Sequence, residues 1–374
     1  MRKIGILTYH TGYNYGASLQ SFALQTFVKN LGYSCKIVNF ETQLFHESRE
    51  MFGFGSLRPK EWIKIAARLP YYHVLKRRQA LFDDFTENCL DTTPLYRTER
   101  EVMEHATDFD CIICGSDQIW NLSKKDAPAA NPVYFLNFPK GQGRVAYAAS
   151  FGSWVREAPR REGEFLPWLR EFDAISVREE SGAAYLREKG LPCTVAIDPT
   201  LLLDAEDYER IRAPRQIEGK YVLLFSWSCG KEVLRVAKRT AAALGLPLYQ
   251  ITPPPRAMFQ GIPRKLDAGP REFLSLIRYA DWVVTDSFHG TAFSVTYEKD
   301  FFSVVSRNDS DTRIDSLLSR LGLKERMIRA EDLESWEHTD YEAARERKAL
   351  LRKESTEFLK NALTASAFRA DDAH

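Results

Sequence analysis

The sequence lacks an excess of charge of either sign. Its 374 residues include 52 Lys and Arg against 51 Asp and Glu, which gives a formal net charge of +1 at pH 7. Proteins that bind nucleic acid usually carry a basic excess that attracts phosphate groups over long distances. We therefore expect no nucleic-acid partner, and any anionic ligand must be bound by a local group of residues.

Long apolar runs, tandem repeats and low-complexity segments are also missing. No stretch of the sequence approaches the roughly 20 apolar residues that a membrane-spanning helix needs. The opening MRKIGILTYH contains only a short apolar run that passes directly into polar residues, which is typical of a buried strand and not of a signal peptide. We therefore expect a cytoplasmic protein.

Cysteine is scarce, with six residues in the chain. Cys111 and Cys114 have the CxxC spacing that can bind zinc or carry redox chemistry. They lie in DCIICGSD, which has the pattern of a strand, and residues three apart on a strand point to opposite faces. No second Cys or His pair lies nearby in the sequence. The pair is therefore predicted to be buried core, and no metal site is expected.

What the sequence does contain is alternating strands and helices. A strand at Lys3–Tyr9, a helix at about 17–31 and a strand at Cys35–Phe40 form a βαβ unit, from which parallel sheets are built. The length favours two domains, and the polar segment Asp204–Lys220 is the best candidate linker. The predicted fold class is α/β, with two doubly wound Rossmann-like domains that share a ligand-binding cleft.

The predicted domains are 1–205, with a helical insertion at about 45–90, and 215–335. A charged C-terminal helix over 340–363 is expected to pack back toward the first domain. In the insertion, basic and aromatic residues over 58–78 favour either peripheral contact with a membrane surface or packing on their own domain.

A histidine at the start of a helix is the sharpest functional signal. The sequence WVVTDSFHGTAF reads as a buried strand, then the N-cap candidates Asp286 and Ser287, then a helix beginning near His289 and Gly290. Backbone N–H groups at such a helix start bind anions, and Gly290 would let a ligand approach the backbone closely. His289 can move protons near neutral pH, although it could also simply bond a core carbonyl.

Seven segments in order resemble the polysaccharide pyruvyl transferase family, over about residues 3 to 326. The segments are NYGASLQSFAL (14–24), GSDQIWN (115–121), AYAASFG (146–152), ISVREESGAAYL (175–186), AIDPTLLL (196–203), DSFHGTAFS (286–294) and RIDSLLSRLGL (313–323). The resemblance implies a GT-B-like architecture and ketal pyruvyl transfer from phosphoenolpyruvate to a precursor of a cell-surface polysaccharide. The acceptor would be a saccharide, linked to a lipid, a nucleotide or a polymer, and phosphoenolpyruvate would be a co-substrate with no further cofactor.

The resemblance also places two arginines and the histidine in family motifs. Arg178 follows a strand and is assigned to the phosphate or carboxylate of phosphoenolpyruvate, the alternative being a salt bridge to a neighbour such as Glu179. Arg313 is assigned to the same ligand, and His289 is the candidate general acid. Some branches of the family carry a basic residue two positions before this histidine, where the present chain has Ser287.

Other candidates lie in loops that follow strands. Asn14, Tyr15 and Gly16 are expected to contact the acceptor sugar, or else to form a tight turn. A carboxylate and an aromatic ring suit sugar binding, so Asp117 and Trp120 are also candidates, although Trp120 could equally be core. The candidate bases are the two remaining strand-end carboxylates, Asp198 and Asp286, and capping is the more ordinary role for Asp286.

Two other functions fit the same sequence. A GT-B glycosyltransferase would use the same architecture for a nucleotide sugar, and a non-catalytic relative would bind saccharide as a scaffold. Binding of phosphoenolpyruvate or of a nucleotide sugar distinguishes them.

Overall fold

A computed structural model describes residues 1–41, 69–123, 130–138, 141–251, 261–305 and 312–371 of the chain. These residues form two compact units. The first unit comprises Met1–Glu47, Thr86–Leu203 and Lys348–His374, and the second comprises Ser48–Phe85 and Asp204–Arg347.

Within its described residues, the first unit contains a six-stranded parallel sheet in the order β2-β1-β3-β4-β5-β6. The strands are β1 Lys3–Leu7, β2 Ser34–Ile37, β3 Cys111–Cys114, β4 Gly143–Ala149, β5 Ala174–Val177 and β6 Thr194–Val195. The helices are α1 Tyr15–Asn30, α3 Glu99–His105, α4 Glu162–Leu169 and α5 Glu180–Glu188.

The described part of the second unit contains a five-stranded parallel sheet in the order β11-β10-β9-β7-β8. Its strands are β7 Val222–Phe225, β8 Leu248–Ile251, β9 Trp282–Thr285, β10 Asp300–Val304 and β11 Met327–Ile328. Its helices are α6 Ala205–Glu209, α7 Lys231–Leu244, α8 Pro270–Tyr279, α9 Phe288–Thr296 and α10 Thr312–Leu321.

Two helices have residues in both units. Helix α2 (Tyr72–Cys89) groups with the second unit up to Phe85, whereas the sequence placed the whole helical insertion in the first domain. The physical reason lies in side-chain packing, since the space beside Gly269 is filled by Leu81 of α2. Residues 45–68 of the insertion lie outside the described residues.

The C-terminal helix α11 (Glu342–Asp371) belongs to the first unit from Lys348 onward. In that unit the Ile197 N–H donates to the Ser355 hydroxyl at 3.0 Å, and the rings of Tyr147 and Phe358 are 6.5 Å apart. At the other end, the Tyr341 hydroxyl donates to the Lys299 carbonyl at 2.7 Å in the second unit.

The predicted linker over 204–220 does not stand apart as a connector. Asp204 caps α6 with a capping box, and the ring of Tyr208 packs edge-on against Phe293 of α9 at 5.0 Å. The segment therefore belongs to the second unit, because its aromatic side chain is part of that unit's interior.

Both sheets share one topological feature that positions ligands. In the first sheet, β2 lies on one side of β1 and β3 lies on the other. In the second sheet, β8 lies on one side of β7 and β9 lies on the other. The chain therefore changes direction between β1 and β3 and between β7 and β9. In open parallel sheets the crevice outside the carboxyl ends of two such strands is where ligands bind.

No helix among the described residues is both long enough and apolar enough to cross a bilayer. The predicted membrane-contact segment 58–78 lies outside the described residues up to position 68, so that prediction stays a prediction.

Candidate functional site at the carboxyl edges of the two sheets

The switch point of the second unit lies between β7 and β9, which are hydrogen-bonded neighbours with Phe225 opposite Thr285. Two polar loops leave this edge side by side. One is the turn Ser226–Gly230, which leads into α7, and the other is Asp286–Ser287, which leads into α9. His289 is the second residue of α9, so the histidine predicted from the sequence lies at the position where this fold binds ligands.

Asp286 joins these two loops. Its Oδ2 accepts from the Ser226 hydroxyl at 2.7 Å and from the Ser228 hydroxyl and N–H, and its Oδ1 accepts from the Trp227 N–H at 3.0 Å. A carboxyl group that already accepts from four donors is poorly suited to take a proton from a substrate. The structure thus places Asp286 as the organiser of the Ser226–Ser228 turn instead of as a base or as the cap of its own helix.

Ser287 is the N-cap of α9, and its hydroxyl accepts from the Gly290 N–H at 3.5 Å. His289 is 7% exposed, and its ring meets that of Phe288 edge to face at 5.2 Å. Thr291 binds α9 to the adjacent strand, since its hydroxyl lies 2.6 Å from that of Ser303 on β10. The start of α9 is therefore held firmly against the sheet.

Gly290 is needed for a different reason from the one the sequence predicted. A Cβ at this position would lie 2.3 Å from the Thr285 hydroxyl oxygen and 3.0 Å from the ring of Phe225. The space beside Gly290 is thus filled by side chains of β9 and β7. The glycine permits close packing of helix on sheet instead of close approach of a ligand.

Arg313 lies in the first turn of α10. Helix α10 follows β10, which pairs with β9, and α10 contacts α9. Arg313 is half-buried. Arg313 therefore lies in the first turn of a helix that contacts α9, the helix of His289.

The switch point of the first unit, between β1 and β3, is a buried polar network. The Gln20 amide donates to the Thr8 hydroxyl at 2.8 Å and accepts from the Ser116 N–H at 3.3 Å. His10 lies 3.0 Å from the Asn39 side-chain oxygen. Neither Gln20 nor His10 was among the residues predicted from the sequence, although both lie in or beside the first βα loop, where a polar residue is a usable signal.

Arg178 is fully buried and paired. Its Nη1 donates to Asp198 Oδ2 at 2.6 Å, and its Nη2 lies 3.9 Å from Asp117 Oδ1. The salt-bridge alternative is therefore realised, with Asp198 as the partner in place of Glu179. Because its charge is already balanced by a buried carboxylate, this arginine is a poor receptor for a second anion.

The carboxyl group of Asp198 is likewise occupied by hydrogen bonds from its neighbours. Its Oδ2 also accepts from the Ser116 hydroxyl at 3.1 Å, and its Oδ1 accepts from the Thr200 hydroxyl at 2.7 Å and the Thr200 N–H at 3.0 Å. It is 1% exposed. Asp198 therefore stabilises the ends of β3, β5 and β6, which argues against its candidacy as the base.

The loop after β1 forms a helix cap. Asn14 is the N-cap of α1, with its side-chain oxygen accepting from the Gly16 N–H at 3.0 Å and the Ala17 N–H at 3.4 Å. Tyr15 and Gly16 are buried in the first turn of that helix. These contacts favour the structural alternative for Asn14, and contact with an acceptor sugar stays a prediction.

Trp120 belongs to the core, which corrects its assignment to a sugar. Its side chain is fully buried, its indole N–H donates to the Tyr134 carbonyl at 3.1 Å, and its ring stacks on Phe135 at 5.8 Å. Asp117 remains at the edge of the sheet, in the left-handed region with φ 60°, and its Oδ1 accepts from the Gln118 N–H at 2.7 Å.

Cys111 and Cys114 are both buried in β3, as predicted. The Cys114 thiol donates to the Tyr134 carbonyl, and burial raises the pKa of this thiol well above its ordinary value. A thiol that stays protonated is a poor nucleophile and a poor metal ligand. Among the described residues no group of three or more His, Cys, Asp or Glu side chains is arranged to hold a metal ion.

The family model of the polysaccharide pyruvyl transferases matches residues 14–309, a range that includes the edges of both sheets. The chain belongs to the polysaccharide pyruvyl transferase family. It is therefore a transferase, and the family implies a saccharide acceptor. Curated protein sequences give no match to the chain.

Solved structures resemble the chain in fold. A Listeria monocytogenes protein described as a UDP-N-acetylglucosamine 2-epimerase has a TM-score of 0.50 at 12% identity, over 99% of this chain and 90% of that one. The UDP-GlcNAc 2-epimerase of Neisseria meningitidis gives 0.49 at 10% identity over 98% and 100% of the two chains. The glycosyltransferase SnogD of Streptomyces nogalater gives 0.44 at 12% identity, over 99% of both chains. At 12% identity the likeness to the Listeria monocytogenes structure shows only the fold, which is GT-B-like with two parallel-sheet α/β units, and nothing about substrate.

Proposed function

We propose that this transferase moves the pyruvyl group of phosphoenolpyruvate onto two hydroxyls of a saccharide as a ketal, in the synthesis of a surface polysaccharide. The observation that carries the proposal is the position of His289 at the switch point of the second unit, in a chain whose family is pyruvyl transferase. The cytoplasmic location and the carrier of the acceptor stay predictions.

The reaction sets definite chemical demands. A proton is delivered to the methylene carbon of phosphoenolpyruvate, which becomes the methyl group. The neighbouring carbon gains oxocarbenium character and forms bonds to two sugar oxygens, while its bond to the phosphate oxygen breaks. Of the two hydroxyl protons lost by the sugar, one balances the proton now on the methyl carbon, and the other leaves with inorganic phosphate. The enzyme must therefore supply an acid and stabilise the departing phosphate.

The start of α9 and Arg313 suit the phosphate. The dipole of a nine-residue helix favours an anion at its N-terminus. Arg313 adds a full positive charge from the neighbouring helix α10, which contacts α9. Because Arg178 is already paired with Asp198, we assign the phosphate to the second unit and give Arg178 a structural role in the first.

His289 is the proposed general acid, which donates the proton to the methylene carbon or holds the departing phosphate. Its ring is largely buried, at the start of the helix whose N–H groups would bind the phosphate. Some relatives carry a basic residue at the position of Ser287. Because serine is uncharged, phosphate binding in this chain would depend on the helix N–H groups and Arg313.

Calorimetric titration of the purified full-length chain with phosphoenolpyruvate tests the proposal, with a panel of nucleotide sugars titrated in parallel. We expect saturable binding of phosphoenolpyruvate, weakened about tenfold or more in Arg313→Ala because a charge-assisted contact is lost. Arg320→Ala, which removes the same side chain from the last turn of the same helix, is the matched control and should bind normally.

Binding of a nucleotide sugar with no binding of phosphoenolpyruvate would replace the proposal with a glycosyltransferase. Binding of neither ligand would favour a non-catalytic saccharide-binding role. Equal phosphoenolpyruvate affinity in the Arg313 and Arg320 variants would show that Arg313 does not bind this ligand. The proposed reaction would be unaffected by that result.

A further inference from the structure

An aromatic side chain lies at the switch point of the second unit, and neither the proton transfer nor the phosphate site uses it. Trp227 lies two residues beyond the end of β7 at Phe225, with Ser226 between them. It is half-buried, unlike Trp120 and Trp282, whose side chains are fully buried. Its ring meets Phe225 edge to face at 6.0 Å, so one part of the indole is anchored in the sheet.

The backbone of Trp227 is fixed from the neighbouring strand. Asp286, which follows β9, accepts from the Trp227 N–H at 3.0 Å and from the hydroxyls on both sides of it in the chain, Ser226 and Ser228. The Ser226 hydroxyl in turn accepts from the Cys229 N–H at 2.9 Å, which closes the turn. The indole is therefore presented by a rigid turn and not by a loose loop.

From this arrangement we propose that Trp227 binds the saccharide acceptor by stacking its indole on a pyranose ring, and that Asp286 is the residue that positions it. The inference rests on the proposed function for its reaction, and it adds the acceptor side of the site. Asp286 is three residues before His289, so the same carboxyl group fixes the aromatic turn and adjoins the start of the helix that carries the acid.

A pyranose ring suits this surface better than the other ligands of the reaction. Phosphoenolpyruvate is small, carries two anionic groups and offers no apolar face. A sugar has a face of C–H groups that packs on an aromatic ring, while its hydroxyls remain solvated at the rim, and the indole has the matching apolar body and polar N–H. The hydroxyls that become ketal oxygens would then be presented near the start of α9.

Nuclear magnetic resonance of the 15N-labelled full-length chain tests the proposal directly. The Trp227 indole N–H signal is assigned by its loss in Trp227→Phe, and methyl glycosides of glucose, galactose, mannose and N-acetylglucosamine are titrated as probes. We expect at least one glycoside to shift the Trp227 signal and to leave that of Trp336 in place. Trp336 is the internal control because its N–H donates to Thr240 within the same unit, at 3.1 Å.

Kinetics then separate binding from positioning. With the glycoside that shifts the signal most as acceptor, we expect Trp227→Ala to raise the acceptor KM about tenfold or more, while the Kd of phosphoenolpyruvate changes less than about twofold. Asp286→Ala should also raise the acceptor KM, and the double variant should be no worse than Trp227→Ala alone because both changes remove one interaction. Trp227→Phe retains a ring and should keep most of the affinity.

Three results would overturn the assignment. The first is that no glycoside shifts the Trp227 signal. The second is that uridine diphosphate shifts this signal and no glycoside does. The third is that the effects of the two alanine substitutions on the acceptor KM are additive. If phosphoenolpyruvate fails to bind while a glycoside still shifts the Trp227 signal, the proposed reaction fails and the saccharide site stands.

Discussion

His289 combines three properties that rarely coincide in one histidine. It lies at the carboxyl edge of a parallel sheet, in the first turn of a helix, and beside the strand at which the chain reverses its direction. None of these properties belongs to the imidazole itself. They follow from the position of residue 289 between β9 and α9.

Replacement of His289 by alanine should therefore remove activity without unfolding the protein. We expect phosphate release from phosphoenolpyruvate in the presence of acceptor to fall at least about 100-fold, which is the typical loss when an acid–base group is removed. Circular dichroism and thermal melting should show a folded variant.

His105→Ala provides the matched control, because His105 lies at the exposed end of α3, where it pairs with Asp108 at 3.1 Å. This variant should release phosphate at the normal rate. Near-normal transfer by His289→Ala would remove the histidine from the mechanism.

The packing of α9 on the sheet is a property of the element. Helix α9 is buried over its whole length, and Gly290 is where it comes closest to β9. A methyl group there would meet Thr285 and Phe225, so the helix would have to move outward.

Gly290→Ala should lower the free energy of unfolding by about 1–3 kcal/mol, the usual penalty for overpacking a close contact, as measured by urea denaturation. Gly163→Ala is the control, since Gly163 lies in α4 and a Cβ there would have no other atom within 4 Å, so alanine should be neutral or slightly stabilising. Equal free energies of unfolding for Gly290→Ala and Gly163→Ala would contradict the packing explanation.

The loop after β4 depends on the carboxyl group of Glu179, for which the sequence suggested only a salt bridge to Arg178. Glu179 is fully buried, and its Oε1 accepts from the Ser150 hydroxyl and from the N–H groups of Phe151 and Gly152 at 2.9–3.0 Å. These contacts bind the end of β4 to the start of α5.

Glu179→Ala should destabilise the protein by about 2 kcal/mol or more, because the Phe151 N–H would be left buried without an acceptor. Its neighbour Glu180, whose side chain is exposed at 62%, supplies the control, and Glu180→Ala should stay within about 0.5 kcal/mol of the parent. Equal denaturation midpoints for the two variants would contradict the assigned role of Glu179.

At the scale of the whole molecule, buried tyrosines make the free energy of unfolding depend on pH in the alkaline range. Burial raises the pKa of Tyr221, Tyr297 and Tyr341 above the ordinary value of 10.0. In the unfolded chain these hydroxyls ionise near pH 10, whereas in the folded protein they stay neutral to a higher pH. Their contribution to stability is therefore complete below about pH 10 and is lost progressively as the pH rises above it.

We expect the urea midpoint to be flat between about pH 8 and pH 9.5 and to fall steeply above about pH 10. Tyr221→Phe and Tyr341→Phe should make that fall shallower, even though each loses a hydroxyl bond of 2.7 Å at neutral pH. A fall of the urea midpoint above pH 10 that is as steep in both tyrosine variants as in the parent protein would refute the prediction.

The sequence by itself determined the order of strands and helices, many of their boundaries and the location of His289. The strand predicted at Lys3–Tyr9, for example, is found as β1 over Lys3–Leu7, and the helix predicted over about 17–31 is found as α1 over Tyr15–Asn30. These features are local, since the apolar period, the caps and the stop at glycine act within a few residues of one another.

Only the tertiary structure decided what the side chains at the sheet edges contact. Trp120 and Trp227 both follow a strand, yet the first is core and the second lies half-exposed at a switch point. Arg178 and Asp286 likewise have partners that follow other strands, Asp198 after β6 and the Ser226–Ser228 turn after β7. Which strands become neighbours depends on crossovers through whole helices, so the partners are about 20 and 60 residues away in the chain, beyond the reach of any local pattern.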